Sequence, residues 1–217
     1  LIDSNFIKFG KEVPSKVSRE TLKELEYYSK AIIEKNKSIN LISKSTEKFI
    51  NIRHIEDSAQ TIDFIDKSDI KTCTDLGSGA GLPGIVLGIL MKSKKPLFKL
   101  IFYEKSHHKS NFLKEMAKKF KLNSEIRCKN IFDEKNLSTD VIISRAFKPL
   151  PILFQIAQKN FKNYKYIIIF LGKSGKKILE DALKFWKFDY EEKKSLTSEG
   201  SFIIKISNLR KINAKKK

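Results

Sequence analysis

Cysteine is scarce in this chain of 217 residues, with only Cys73 and Cys128 present. The two do not stand at metal-ligand spacing, which excludes a zinc site of the usual cysteine pattern. Each falls in a predicted strand and reads as an inert core thiol. Long apolar runs are also missing. No stretch of about 18 consecutive apolar residues occurs, so no membrane span is expected. The opening "LIDSNFIKFGKEVPSK" lacks the apolar centre of a signal peptide, and a cytoplasmic protein is the expectation. Acidic residues are in short supply, 25 against 44 basic ones, leaving a formal charge of +19. A surface of that sign draws polyanions such as nucleic acid. Arginine is rare even so: Arg19, Arg53, Arg127, Arg145 and Arg210 are five among the 44 basic residues. Much of the excess therefore also fits a general lysine-rich usage, and charge alone leaves both readings open.

What is present is enough for a folded domain, since 41% of residues are apolar. From Ser18 the sequence reads as a capped helix with Leu22, Leu25, Tyr28, Ile32 and Ile33 along one face. A second helix is predicted to follow Ser45 or Thr46 and to run through "EKFINIRHIEDSAQTIDFI". From Ile70 the cadence changes. Short apolar runs ("IKTCTDL", "LFKLIFYE", "SEIRCKN", "DVIISRAF", "YKYIIIFLG") alternate with helix-length segments ("GIVLGILMK", "HKSNFLKEMAKKF", "LPILFQIAQKNF"). That is the pattern of βαβ units, whose parallel strands are buried on both faces. "KFDYEEKKSL" and "GSFIIKIS" are joined by a Ser/Gly turn with no room for a helix, which predicts an antiparallel hairpin closing the sheet. The expected organisation is an α/β core at residues 67–207, preceded by a helical extension at 1–66 and followed by a basic tail at 208–217.

The stretch "TDLGSGAGLPG", Thr74 to Gly84, places Asp75 at the end of the first strand and Gly77, Gly79 and Gly81 in the turn before a helix. Ligands of parallel sheets sit at the carboxyl ends of strands, and glycines there let a ligand press against backbone N–H groups. A dinucleotide fingerprint would need glycine at position 82, which is leucine. A P-loop ending at Gly172-Lys173-Ser174 would need glycine at position 167, which is isoleucine. A nucleoside ligand without pyrophosphate remains. Its ribose diol calls for an acid at the end of the second strand, and Glu104 in "LIFYEK" stands there.

This turn and its acid resemble the class I S-adenosylmethionine-dependent methyltransferases, which implies a Rossmann-like fold. "INLIS" (39–43), "RHIEDS" (53–58), "DLGSGAGLPGI" (75–85), "KSNFL" (109–113) and "ISRAF" (143–147) occur together in the order of one family. The chain resembles the small-subunit ribosomal RNA methyltransferase G family, also called glucose-inhibited division protein B, from about residue 20 to 205. The resemblance implies methyl transfer from S-adenosylmethionine to N7 of one guanine in 16S ribosomal RNA, presented as RNA or as the small subunit. It places Asp75, Gly77, Gly79, Leu82 and Glu104 at the cofactor, with Gly77 and Leu82 near the methionine end. Ile131 and Phe132 would flank the adenine. Arg145 would face the reacting centre or the cofactor carboxylate, a structural ion pair being the alternative. Arg53, His54, His108 and Lys109 become candidates for RNA contact. The chain departs from the family where Lys35 replaces a tryptophan, where His108-Lys109 replaces a basic pair, and where Leu171-Gly172-Lys173 stands near the late strand. An arginine expected near Asn130 is missing.

Guanine N7 carries a free lone pair and no proton, so its methylation needs no general base; position and orientation suffice. The chain also lacks the Asn/Asp-Pro-Pro-aromatic element of amine methylation and the Pro-Cys nucleophile of pyrimidine methylation. His54, His107 and His108 are not required as bases, and no metal is expected. Phe147 could stack on the target base or fill the core. Two rivals stand beside this reading: a class I methyltransferase acting on another RNA, a protein or a small molecule, and a non-catalytic RNA-binding module with a vestigial pocket.

Overall fold

The computed structural model describes residues 17–66 and 69–212. Helix α1 (Arg19–Asn36) starts where the sequence places it. The Ser18 side chain accepts the Thr21 N–H, and Glu20 lies in the first turn, where the positive helix end favours an acid. Asn36 ends it: its side-chain oxygen accepts the N–H groups of Leu41 and Ile42, and its amide donates to the Ile42 carbonyl. The segment "INLIS" therefore wraps around one buried asparagine.

The single helix expected to follow is instead four short pieces. A 3-10 turn (Lys44–Phe49) leads into a π-helical turn (Asn51–Glu56), then α2 (Asp57–Ala59) and α3 (Ile62–Ile65). The buried positions Ile50, Ile55, Ala59, Ile62 and Ile65 explain the break. The first step spans five residues where a regular helix repeats every three or four, and a π turn absorbs the extra one.

The sheet contains β1 (Thr72–Leu76), β2 (Lys99–Tyr103), β3 (Ser124–Arg127), β5 (Val141–Ser144), β7 (Tyr166–Leu171), β8 (Trp186–Lys194) and β9 (Phe202–Lys211). Its order is β3-β2-β1-β5-β7-β9-β8. The strands through β7 are parallel, and β9 pairs antiparallel with both β7 and β8. This is the predicted α/β arrangement with its closing hairpin. From β1 the chain builds outward to β2 and β3, then returns to place β5 on the other side, so the switch point lies between β1 and β5. A small separate pair, β4 (Leu137–Ser138) with β6 (Phe161–Asn163), went unanticipated because two or three residues carry no readable period.

Helix α4 (Gly84–Met91) shows why the N-terminal helices exist. Every one of its residues is buried, and a helix apolar all round must be covered on both sides. One side lies on the sheet, while α1, α2 and α3 cover the other. Leu25, Tyr28, Ile55 and Ile62 consequently share one hydrophobic cluster with Ile85, Leu87 and Phe102. Lys92, just past α4, reaches Glu24 of α1 at 2.5 Å in a half-buried ion pair. Helices α5 (His107–Lys119) and α6 (Leu150–Asn160) fall where their periodicity places them. Helix α7 (Gly175–Leu183) was missed behind the glycines at its start, although Leu179 and Ala182 form a buried stripe.

Two sequence expectations need correction. Cys128 is not a core thiol: it lies just beyond β3, an edge strand whose residues are all half-exposed, and is itself half-buried. Strand β9 runs to Lys211, into the segment read as tail, because Leu209 is buried and the Trp186–Lys211 pairing extends the ladder. The rest of that basic segment, residues 213–217, lies outside the described residues. Among the described residues, no helix is long and apolar enough to cross a membrane.

Candidate functional site

The glycine turn hangs from the end of its neighbouring strand. The N–H groups of Gly77 and Ser78 both donate to the Tyr103 carbonyl of β2, at 2.9 and 3.1 Å. Gly77 and Gly79 have φ of +68° and +56°, a region that side chains disfavour. A Cβ at Gly79 would meet nothing closer than 3.8 Å, so backbone here faces open space. A Cβ at Gly77 would run into the ring of Phe147, which lies across that glycine. Glycines 81 and 84 serve packing instead. Side chains there would strike Ile85 and Leu113, or Phe102 and the Asp75 carboxylate. Tyr28 of α1 clamps the turn from outside by donating to the Ala80 carbonyl at 2.5 Å. Leu82 is buried, and its bond to Pro83 is cis.

Two carboxylates converge on this turn. Glu104 is half-buried, and each of its oxygens accepts one backbone N–H: Oε2 from Gly79 at 3.0 Å and Oε1 from Ser106 at 2.8 Å. The acid is thus pinned at the open glycine with further lone pairs free. Asp75 is buried. Its Oδ2 accepts the Gly84 N–H at the start of α4 at 2.9 Å, and its Oδ1 has no partner among the described residues. Burial pushes its pKa up to about 7; the Gly84 bond opposes that, and the Glu104 charge adds to it.

The remaining cofactor candidates divide. Ile131 begins a 3-10 turn (Ile131–Asp133), but its side chain is buried in the second hydrophobic cluster and its carbonyl accepts from Asn160 at 2.7 Å. Its side chain is committed to the core, which leaves Phe132, 47% exposed, as the residue of the pair able to flank a ligand. The Lys148 ammonium lies 5.9 Å from the ring centres of both Phe132 and Phe147. Through that lysine the structure brings positions 132 and 147 together beside Gly77.

Arg145 goes elsewhere. Its Nη2 donates to the Arg53 carbonyl at 2.5 Å and pairs with Asp57 Oδ2 at 3.0 Å, and its guanidinium lies over the Phe170 ring. Its buried Nη1 has no partner among the described residues. These groups line a cavity of about 310 Å³ that also takes in Gly172 and the loop between β8 and β9. Asp57 is the hub of its wall: Oδ1 accepts from Gln60, Ser195 and Thr197 at 3.1, 3.0 and 2.7 Å. Asp57 within "RHIEDS" carries no local signal of this role, and the serine-rich turn between β8 and β9 reads in sequence only as a hairpin connector. Repeated hydroxyl residues in that turn were the available signal.

The RNA candidates also separate. Arg53 is exposed and reaches Ser198 at 3.5 Å. His54 bonds Thr46 at 2.8 Å through Nε2, and burial, followed by the charges of Arg145 and Arg53, lowers its pKa to about 4. It is neutral near pH 7 and offers no charge to phosphate. His108 and Lys109 lie in the first turn of α5, His108 exposed and Lys109 half-buried. His108 shares a cavity of about 320 Å³ with Lys35, so two of the departures from the family pattern meet in space. Among the described residues no His/Cys/Asp/Glu group could hold a metal ion.

Residues 21–203 match the family described as GidB, rRNA small subunit methyltransferase G. A ribosomal RNA small subunit methyltransferase G from Pelagibacter ubique is 48% identical over 199 residues, covering 91% of this chain and 93% of that protein. The protein of the same name from Rickettsia akari is 35% identical, covering 90% and 98%. Among solved structures, an O-methyltransferase from Bacillus cereus superposes with a TM-score of 0.57 at 15% identity, covering 86% of this chain and 91% of that one. The 16S rRNA methylase RmtB superposes at 0.54 with 12% identity, covering 89% and 76%. These structural likenesses show a shared α/β methyltransferase fold. The sequence matches span nearly the whole chain, and it belongs to the rRNA small subunit methyltransferase G family.

Proposed function

We propose that this protein transfers a methyl group from S-adenosylmethionine to N7 of a guanine in 16S ribosomal RNA. The observation that carries the reading is the Glu104 carboxylate, held by two backbone N–H groups at the one glycine of the turn that faces open space. Its spare lone pairs suit a ribose diol. The unpartnered Oδ1 of Asp75 is the kind of buried polar atom that a ligand would satisfy, and the exposed ring of Phe132 can flank an adenine. The residues present therefore fit the cofactor. When bound, it supplies an electrophilic methyl group on a sulfonium.

Glu104 and the Gly79 backbone orient that group, and Phe147 over Gly77 screens the turn from water. The chain's own part would be to hold a guanine with its N7 lone pair facing that methyl group, which N7 can accept without losing a proton. No proton moves, so no side chain need act as base, and the neutral His54 is consistent with that. A cytoplasmic setting with the small ribosomal subunit as partner belongs to the same reading, as does the division into an extension (1–66) and a core (67–207).

Calorimetry and a tritiated-methyl assay on small subunits lacking the modification test it. The parent protein should bind S-adenosylmethionine saturably and label RNA. Glu104→Gln, which keeps size but loses an anionic partner for the diol, should weaken cofactor binding roughly 10-fold or more. Unchanged affinity would move the site away from Glu104, and label on protein alone would end the RNA reading.

A further inference from the structure

A second cavity opens at the same edge of the sheet. β1 and β2 carry the glycine turn and Glu104 at their carboxyl ends. The next two strands, β5 and β7, end at Ser144 and Leu171. The cavity of about 310 Å³ lies there, walled by Arg53, Asp57, Arg145, Phe170 and the loop at residues 195–201. One short loop separates the two sites. It carries Arg145 into the cavity and, two residues on, Phe147 over Gly77, with Ala146 between them at φ +52°. A two-substrate transfer needs its second substrate next to the first, and this loop is where they would meet.

The chemistry of the cavity is specific. Arg145 is held in place by Asp57, the Arg53 carbonyl and the Phe170 ring, yet its buried Nη1 meets no acceptor among the described residues. A fixed, buried donor favours a ligand that presents a carbonyl oxygen and disfavours one that presents an amino group. Guanine offers O6 at the position where adenine carries its N6 amine. O6 and N7 share an edge, so a guanine whose O6 sits on Arg145 leaves N7 uncovered. Arg53, exposed at the rim beside Ser198, is placed for the attached phosphate.

We propose that this cavity is the acceptor pocket, binding the target guanine nucleotide with its O6 on Arg145 and its N7 turned toward the glycine turn. The proposal rests on the methyl-transfer reading above and adds the residues that select the base. It also assigns Arg145 to the RNA and not to the cofactor carboxylate.

Gly172 supplies a clean test, because a Cβ there meets nothing within 4 Å and its backbone is unstrained. Gly172→Trp should obstruct the cavity while leaving the melting temperature and S-adenosylmethionine affinity within about twofold of the parent; methyl transfer to unmodified small subunits should fall roughly 100-fold. Transfer within about twofold of the parent overturns the proposal, and so does loss of cofactor binding, since the cavity would then belong to the cofactor. An activity-independent arm titrates guanosine 5′-monophosphate or adenosine 5′-monophosphate into the isotope-labelled parent protein. The guanine nucleotide should shift amide signals of Ser195, Thr197, Ser198 and Ser201, and the adenine nucleotide should not. Equal shifts, or none, overturn it. If the parent methylates no RNA while the guanine-selective shifts are present, the reaction assignment falls and the guanine pocket stands.

Discussion

At the scale of single residues, one buried and one half-buried titratable group pull stability in opposite directions over one pH range. Burial raises the Asp75 carboxyl to about 7, well above the value near 4 it has in an unfolded chain. Between those values the folded state keeps a proton that the unfolded state has released. The stability Asp75 contributes is therefore complete below about pH 4 and is lost as pH climbs through 7. His54 behaves inversely. Its pKa falls to about 4, so its contribution is present above about pH 6.5 and disappears as pH drops toward 4. Asp75→Asn isolates the first effect, since the amide can still accept the Gly84 N–H but does not titrate. The variant should gain on the parent steadily between about pH 4 and pH 7, read from urea midpoints; a difference independent of pH would contradict the buried, proton-retaining state. Asp75 and Glu104 were legible in the sequence because strand-end acids beside a glycine turn have a recognisable spacing. The lone Oδ1 of Asp75 was not, since it depends on α4 taking one carboxylate oxygen and no described residue taking the other.

Among elements, the π-helical turn is where sequence periodicity fails; it leads into Asp57, and the predicted β8–β9 turn meets it there. That carboxylate joins Arg145 to Ser195, Thr197 and Gln60, and Gln60 in turn accepts the Leu196 N–H at 3.0 Å. Three segments distant in the chain are thereby fastened at one point, and none of them signals the others locally. Removing the acid leaves Arg145 as a largely buried charge without its partner. Asp57→Ala should cost about 3 kcal/mol and lower the melting temperature by roughly 10 °C, measured by calorimetry. A change under about 1 kcal/mol would mean the network is solvated and dispensable. By contrast, α1 and α5 followed their sequence signals closely, because Ser18 and Ser106 each cap the helix they precede.

Over the whole molecule, the formal charge of +19 acts at long range and through phosphate, whereas the proposed cofactor site is built from backbone N–H groups and two acids. The two binding events should therefore separate by ionic strength. Raising salt from about 50 to about 200 mM should weaken ribosomal RNA binding by roughly 100-fold or more, as filter binding would show, and leave S-adenosylmethionine affinity within about twofold. Salt-insensitive RNA binding would mean that the lysine excess is background composition. The molecule is also continuous in a way its charge conceals. The helices before residue 66 and the sheet share one apolar cluster around α4, so the cover over the glycine turn is part of the core that positions it.

The α/β succession of the core up to β7, the closing hairpin, the glycine turn and its paired acids were determined by sequence alone, because each arises from local periodicity, capping or backbone freedom at adjacent positions; the broken second helix, α7 and the β4–β6 pair were not. Tertiary structure decided where Arg145 points, which of Ile131 and Phe132 remains exposed, that Phe147 lies over Gly77, and that a hydroxyl-lined cavity stands beside the glycine turn. Those outcomes depend on contacts between segments distant in the chain, such as Arg145 with the Arg53 carbonyl, Asp57 with Thr197, and Asn160 with the Ile131 carbonyl. Side-chain direction at such a junction is set by the partner the fold delivers, and a linear pattern holds no record of that partner.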